Sequence, residues 1–302
     1  MLFYIGSIII IGSIIFGFIA EGGNILILYQ PYAAMIILGS AFGILIISNP
    51  QSILKSMWLL IKRLRLGTPY KKFDYLNLMI FMFFFFKYAK TKGSLAIEYD
   101  IENPDNSPIF NEFPEILKNR EALTFFCDYM RLLVIGFDKS YELENLMQDQ
   151  IAIRRNHNSE ISLALFKLSD ALPALGIVAA VLGVINAMAS IDAEPAVLGH
   201  KIAAALIGTF IGVAASYCAV TPLGSYMEKF SNDESKFLEC IKAGFISFVN
   251  GNPPVIAIEF ARQTVPINLK PSFLEVERAI ENHLQYRRMN KDVRQKSAKA
   301  TR

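Results

Sequence analysis

Residues 170–191 read DALPALGIVAAVLGVINAMASI, and residues 202–223 read IAAALIGTFIGVAASYCAVTPL. Each runs about 20 residues without a charge between its bounding polar groups, which at about 1.5 Å per residue covers the roughly 30 Å hydrocarbon core of a bilayer. Both are predicted to be membrane-spanning helices. They are rich in small residues, a composition that in lipid favours close packing of one helix on another. Ala180, Gly183 and Ala187 stand at i, i+3 and i+7 and leave one strip of the first helix nearly without side chains. In the second, Gly208, Gly212 and Ser216 recur every fourth residue. Thr209 and Ser216, seven apart, share a face to within about 20°. A hydroxyl at mid-membrane needs a carbonyl, a water or an ion as partner. For Thr209 the local choice is a back-bond to the Ala205 carbonyl, and spacing leaves that choice open against a role toward an ion.

Neither stretch has an ionisable side chain near its middle, and Asp170 lies at an edge. A membrane proton relay normally uses an intramembrane Asp, Glu or His. If this chain handles ions, the titrating group is therefore expected from a partner. The chain has 302 residues, is 53% hydrophobic and carries a formal net charge of +3. It reads as an integral membrane protein with a sizeable water-exposed part, and the charge is too small to argue for nucleic acid. Cys127, Cys218 and Cys240, like His157, His200 and His283, lack ligand spacing, so neither a metal nor a cofactor is expected. No nucleophile–base pair is visible in the spans, which argues against an intramembrane enzyme.

Taken in order, residues 2–20 are uncharged and Ile-rich, and no basic residue precedes them as in a signal peptide. They are predicted to be a retained first span. EGGNILILYQP turns the chain, and residues 33–48 with their flanks form a second span, expected to pack through Gly39 and Gly43. Residues 21–31 and 192–199 hold no Lys or Arg, whereas Lys55, Lys62, Arg63 and Arg65 follow the second span. The positive-inside rule then puts the termini and the central segment in the cytoplasm, with Lys201 as the exception.

The predicted fold is an all-α integral membrane protein of four transmembrane helices, with a large helical cytoplasmic region between spans 2 and 3 and a cytoplasmic C-terminal tail. Its expected parts are residues 1–48 (spans 1 and 2), 49–168 (cytoplasmic helical domain), 169–226 (spans 3 and 4) and 227–302 (C-terminal helices and basic tail). Pro69, Asn103, Pro104, Pro108 and Pro114 punctuate the central segment. Its apolar stretch YLNLMIFMFFFF, residues 75–86, is too short to span. It is expected to be a buried or membrane-surface helix, with a re-entrant segment as the alternative. The charges that follow, Lys87, Lys90, Lys92, Glu98, Asp100 and Glu102, read by pattern as a solvated face. Residues 236–249, the run after GNPP and a short helix over residues 273–286 complete the helical part. The basic tail, residues 287–302, suits an anionic lipid surface or a solvated disordered end.

Pro173 and Pro222 lie near the cytoplasmic ends of spans 3 and 4. Inside helices they free the carbonyls of Ser169 and Cys218 and make two bendable points. Pro173 in a first helical turn would be an ordinary helix start. The pattern does not choose between them.

Six segments together resemble the MotA family, the A subunits of bacterial flagellar stators. They are YQP at 29–31, IEYDIENP at 97–104, LPALGIVAAVLGV at 172–184, IGTFIGV at 207–213, PPVIAIEFAR at 253–262 and PSF at 271–273. The resemblance implies a pentamer in the bacterial inner membrane around the spans of two MotB chains, whose intramembrane Asp accepts the ion, and torque delivered to the rotor protein FliG. It implies that Pro173 and Pro222 couple protonation to movement, that Thr209 lines the ion path with Ala180 nearby, and that Lys90 and Glu98 engage FliG. Lys90 stands where the family typically has Arg, which keeps the charge and loses the planar fork. An ExbB or TolQ type of energiser, which shares the core helix pair, is the alternative.

Overall fold

The computed structural model describes the backbone of residues 2–63 and 70–300, with side chains outside residues 2–4, 60–63, 94–95, 288 and 290–300. Arg65 and Pro69, and the side chains of the tail from residue 290, lie outside the described residues. All regular structure among the described residues is helical. In chain order it comprises α1 (Leu2–Ala20), α2 (Ile25–Leu28), α3 (Pro31–Ser48), α4 (Gln51–Arg63), α5 (Lys72–Lys92), α6 (Glu98–Glu102), α7 (Pro108–Asn111), α8 (Pro114–Lys118) and α9 (Arg120–Val134). There follow α10 (Ser140–Met188), α11 (Pro195–Ala214), a π-helical turn (Ala215–Val220), α12 (Thr221–Val249), α13 (Pro254–Gln263) and α14 (Phe273–Ala300). The chain forms two compact units, one of residues 1–67 and 156–231, the other of residues 68–155 and 232–302.

In the first unit, three helical runs are long and apolar enough to cross a membrane: Ile25–Ser48, one within Ser140–Met188 and one within Pro195–Val249. Ile5–Ala20 is a shorter apolar helix. The outward face of α10 carries Ile177, Val181, Leu182 and Ile185 well exposed, a surface that suits lipid or a partner helix rather than water. Ile37, Ala41 and Leu45, each four apart, form the buried face of α3, and the first two pack with Leu172 and Ala179 of α10. The expected packing through Gly39 and Gly43 does not occur within this chain: a methyl built on either meets nothing within 4 Å. Both glycines stand about 200° around the helix from the neighbouring buried positions Ile37 and Ala41. Ile53 and Met57 of α4 pack against Ile161, Ala164 and Leu165 of α10 and Met227 of α12.

The second unit is built around α5. From Leu78 to Phe86 every side chain is buried, because this part of α5 is enclosed on all faces and needs no polar stripe. Phe81 lies within 5.0–5.5 Å, ring centre to ring centre, of Phe110, Phe113 and Phe126, and Phe86 stacks on Phe248 at 4.4 Å. Residues 75–86 are thus a buried helix of this unit. Cys127 and Cys240 sit in the same core, and burial pushes both thiols up to about 12.

Helix α14 opens with a reciprocal cap, in which the Ser272 N–H donates to Glu275 Oε2 at 2.6 Å and the Glu275 N–H to Ser272 Oγ at 3.2 Å. It continues past the predicted end near residue 286 to Ala300. No Gly or Pro interrupts residues 287–300, and Lys, Arg, Gln and Ala are strong helix formers.

Candidate functional site

Helices α10 and α11 meet at backbone distance. A Cβ built on Gly212 falls 2.6 Å from the Leu172 carbonyl oxygen and 2.8 Å from Gly176 Cα. One built on Gly176 falls 3.1 Å from Gly208 O and Gly212 Cα, and one on Gly183 falls 2.7 Å from Ala205 Cβ. Only hydrogen fits at Gly212 and Gly183 without a shift, a methyl at Gly176 would press on the backbone of α11, and the helices approach because these side chains are missing. Ala180 and Ala187 are buried. Gly176, absent from the strip inferred by spacing, is central to the contact. The signal for it was available, since Gly176 and Gly183 are seven apart on one face.

Thr209 is half-buried and its hydroxyl bonds to no described residue, so the back-bond to Ala205 is not made. Its Cα lies 3.3 Å from the Cβ position on Gly176, and Ala180 N lies 3.2 Å from that on Gly208. Both residues therefore stand at the α10–α11 contact. At the other end of the pair, the Lys201 ammonium donates to Ser190 Oγ.

Pro173 is interior to α10 rather than in a first turn. Pro222 follows the π-helical turn within a continuous helical run, so neither proline starts a helix. The carbonyl of Ser169, which Pro173 leaves without its i+4 donor, accepts the Ser216 hydroxyl at 2.7 Å. Ser169 Oγ lies 2.8 Å from Ser216 Oγ and 2.5 Å from Thr221 Oγ1. Ser169 and Ser216 are 3% and 1% exposed. The bond between the freed Ser169 carbonyl and Ser216 is invisible to local spacing, because 47 residues separate the two.

In the second unit, Lys90 is exposed in the last turn of α5 and Glu98 is exposed at the start of α6. The Lys90 ammonium donates to the Gly251 carbonyl at 3.4 Å, in the α12–α13 turn where Gly251 has φ +84°. Lys87 lies over the Phe83 ring at 5.8 Å. The rest of the charge run is not one uniform solvated face. Asp100, 5% exposed, accepts the Ser107 hydroxyl at 2.6 Å, and Ser107 caps α7 through the Phe110 N–H. Glu102 accepts from Arg131 at 2.5 Å, and that hydrogen bond holds its carboxyl below the usual range. Asp100 and Ser107 went unrecognised because composition does not distinguish a buried Asp from its exposed neighbours. Among the described residues no cluster of His, Cys, Asp and Glu is placed to hold a metal.

Comparison with known proteins places this geometry in context. Residues 4–93 match the family described as motility protein A N-terminal, and residues 118–239 the MotA/TolQ/ExbB proton channel family. Motility protein A of Salmonella typhimurium is 36% identical over 285 residues, covering 93% of this chain and 97% of the relative. The fold is similar to a chain in the structure of C. jejuni MotAB, with a TM-score of 0.73, 21% identity and coverage of 88% of this chain and 96% of the other. It is similar also to a chain of the flagellar MotAB stator complex from Bacillus subtilis, with a TM-score of 0.71, 21% identity and coverage of 89% and 98%. The first of the two matched families is specific to motility proteins, the second is a channel family rather than an enzyme class, and the Salmonella relative is matched nearly end to end. On these grounds the chain belongs to the motility protein A family.

Proposed function

We propose that this chain is the A-type subunit of a bacterial flagellar stator. With a MotB-type partner it forms an ion path, for protons, through the inner membrane and turns ion flow into torque on the rotor protein FliG. The observation that carries the reading is the α10–α11 contact: two apolar helices in backbone contact, with no Asp, Glu, His, Lys or Arg between Leu172 and Met188 or between Ile202 and Pro222. Such a pair cannot hold a proton by itself, so the acid comes from the partner. In this reading α1, α3, residues 169–188 of α10 and α11 span the membrane, the termini are cytoplasmic, and five copies surround two partner spans. Lipid contacts the outer faces.

An ion entering from the periplasmic side neutralises the partner's carboxylate beside Thr209 and Ala180 and then leaves inward. Each charge moving down the membrane potential releases roughly 2.3 kcal/mol per 100 mV. Neutralising a buried carboxylate removes a large desolvation penalty, so its charged and neutral forms favour different packing against the small-residue strip. Pro173 and Pro222 convert that difference into bending, and Lys90 and Glu98 pass the motion to the rotor by charge complementarity, which salt weakens. The ExbB or TolQ type of energiser is the other reading, and the motility-specific match over residues 4–93 weighs against it.

Pro173→Ala, co-expressed with the partner, is expected to leave assembly intact and stop rotation. Normal rotation would remove the hinge. Ion flux and movement from the chain reconstituted without any companion would remove the partner's acid, and with it the whole reading.

A further inference from the structure

We propose that Ser169, Ser216 and Thr221 are positioning residues that tie the Pro173 break in α10 to the π-helical break before Pro222, so that the two bend as one joint. This rests on the reading of the two prolines as coupling points.

The joint is reciprocal. Pro173 has no N–H, and the Ser169 carbonyl it leaves open is filled across the helix pair by the Ser216 hydroxyl at 2.7 Å. The Ser216 carbonyl in turn receives the Thr221 N–H, a π-type bond of five residues' span, and lies 3.3 Å from the Ser169 hydroxyl. Ser216 therefore holds the defect of α10 on its hydroxyl and the defect of its own helix on its carbonyl. With the Ser216 proton given to Ser169 O, Ser169 donates to Ser216, and Thr221 donates to Ser169 Oγ at 2.5 Å.

Three O–H donors and their acceptors thus close on one another. Serines inside helices ordinarily bond back within their own helix. Here the hydroxyls reach residues 47 and 52 positions away instead. Ser169 also has two acceptors on Ser216, Oγ at 2.8 Å and the carbonyl at 3.3 Å. The bond can pass from one to the other as the helices bend, which offers two discrete arrangements instead of a continuous slide.

The experiment uses the full chain co-expressed with its stator partner in cells lacking their own copy. At unchanged protein level and partner co-purification, Ser216→Ala is expected to lower motor torque. Ser216→Thr, which keeps the hydroxyl, restores it. The Ser169→Ala/Ser216→Ala double variant, which also removes the bonds of Ser169 Oγ to Thr221 and to the carbonyl of residue 216, loses more than Ser216→Ala alone.

A second measurement needs no rotation. In Pro173→Ala the restored N–H of residue 173 takes the Ser169 carbonyl, so adding Ser216→Ala should shift the Tm of the purified complex less than it does beside Pro173. Equal Tm shifts in the two backgrounds, or a torque loss that only follows a fall in protein level, would overturn the joint. If Pro173→Ala stops rotation while both serine variants turn normally, the joint falls and the hinge stands. If Pro173→Ala turns normally, the hinge itself falls.

Discussion

Replacing Gly212 by alanine tests the backbone contact of α10 and α11 directly. The added methyl would sit 2.6 Å from Leu172 O, 2.8 Å from Gly176 Cα and 3.0 Å from Gly176 N. A carbon–oxygen contact settles at about 3.3 Å, so the methyl is about 0.7 Å too close to the carbonyl. All three atoms are backbone, and no rotamer change relieves them. The helices must separate locally by about that distance, and a gap of roughly 0.5–1 Å forfeits a quarter to a half of each dispersion contact across it. Overpacking of this kind costs about 1–3 kcal/mol. In lipid no hydrophobic term between the helices offsets it. Gly39→Ala is the control, because its methyl meets nothing within 4 Å. Unfolding of the purified complex in detergent, read beside swimming speed at matched protein level, should show Gly212→Ala destabilised and slow and Gly39→Ala close to wild type. If Gly212→Ala unfolds and swims like wild type, the reasoning from that contact is wrong.

Three other outcomes are expected. Thr209→Val removes a hydroxyl that bonds to no described residue, so protein level should hold while ion flux falls; unchanged flux would take Thr209 out of the path. Lys90→Glu combined with Glu98→Lys should swim worse than either single change unless a compensating rotor substitution is present, and full motility would return both residues to plain solvated surface. The Lys72 ammonium, with the Ser272 N–H, holds the Glu275 carboxyl at about 2 against an ordinary 4.5. A depressed carboxyl stabilises above its unfolded value and loses that contribution on acidification. Stability of the second unit should therefore fall between about pH 4.5 and 2, and Lys72→Ala should flatten that acid limb in a pH titration of hydrogen exchange at α14.

Sequence alone determined the helical class, the two apolar small-residue stretches and the absence of an ionisable group near their middles, because length, hydropathy and side-chain chemistry are properties of consecutive residues. It also showed that residues 75–86 are too short to span. Tertiary structure decided that this stretch is enclosed by helices of its own unit, a fact no local period could reveal, since a helix buried on every face has no polar stripe to read. Tertiary structure likewise turned α3 onto Ile37 and Ala41 instead of its glycines, buried Asp100 against Ser107, and brought Ser169 to Ser216 across 47 residues. Each of these depends on which face meets which neighbour. That choice is set by close packing and by the need of every buried polar atom for a partner, and both are settled between segments rather than within one.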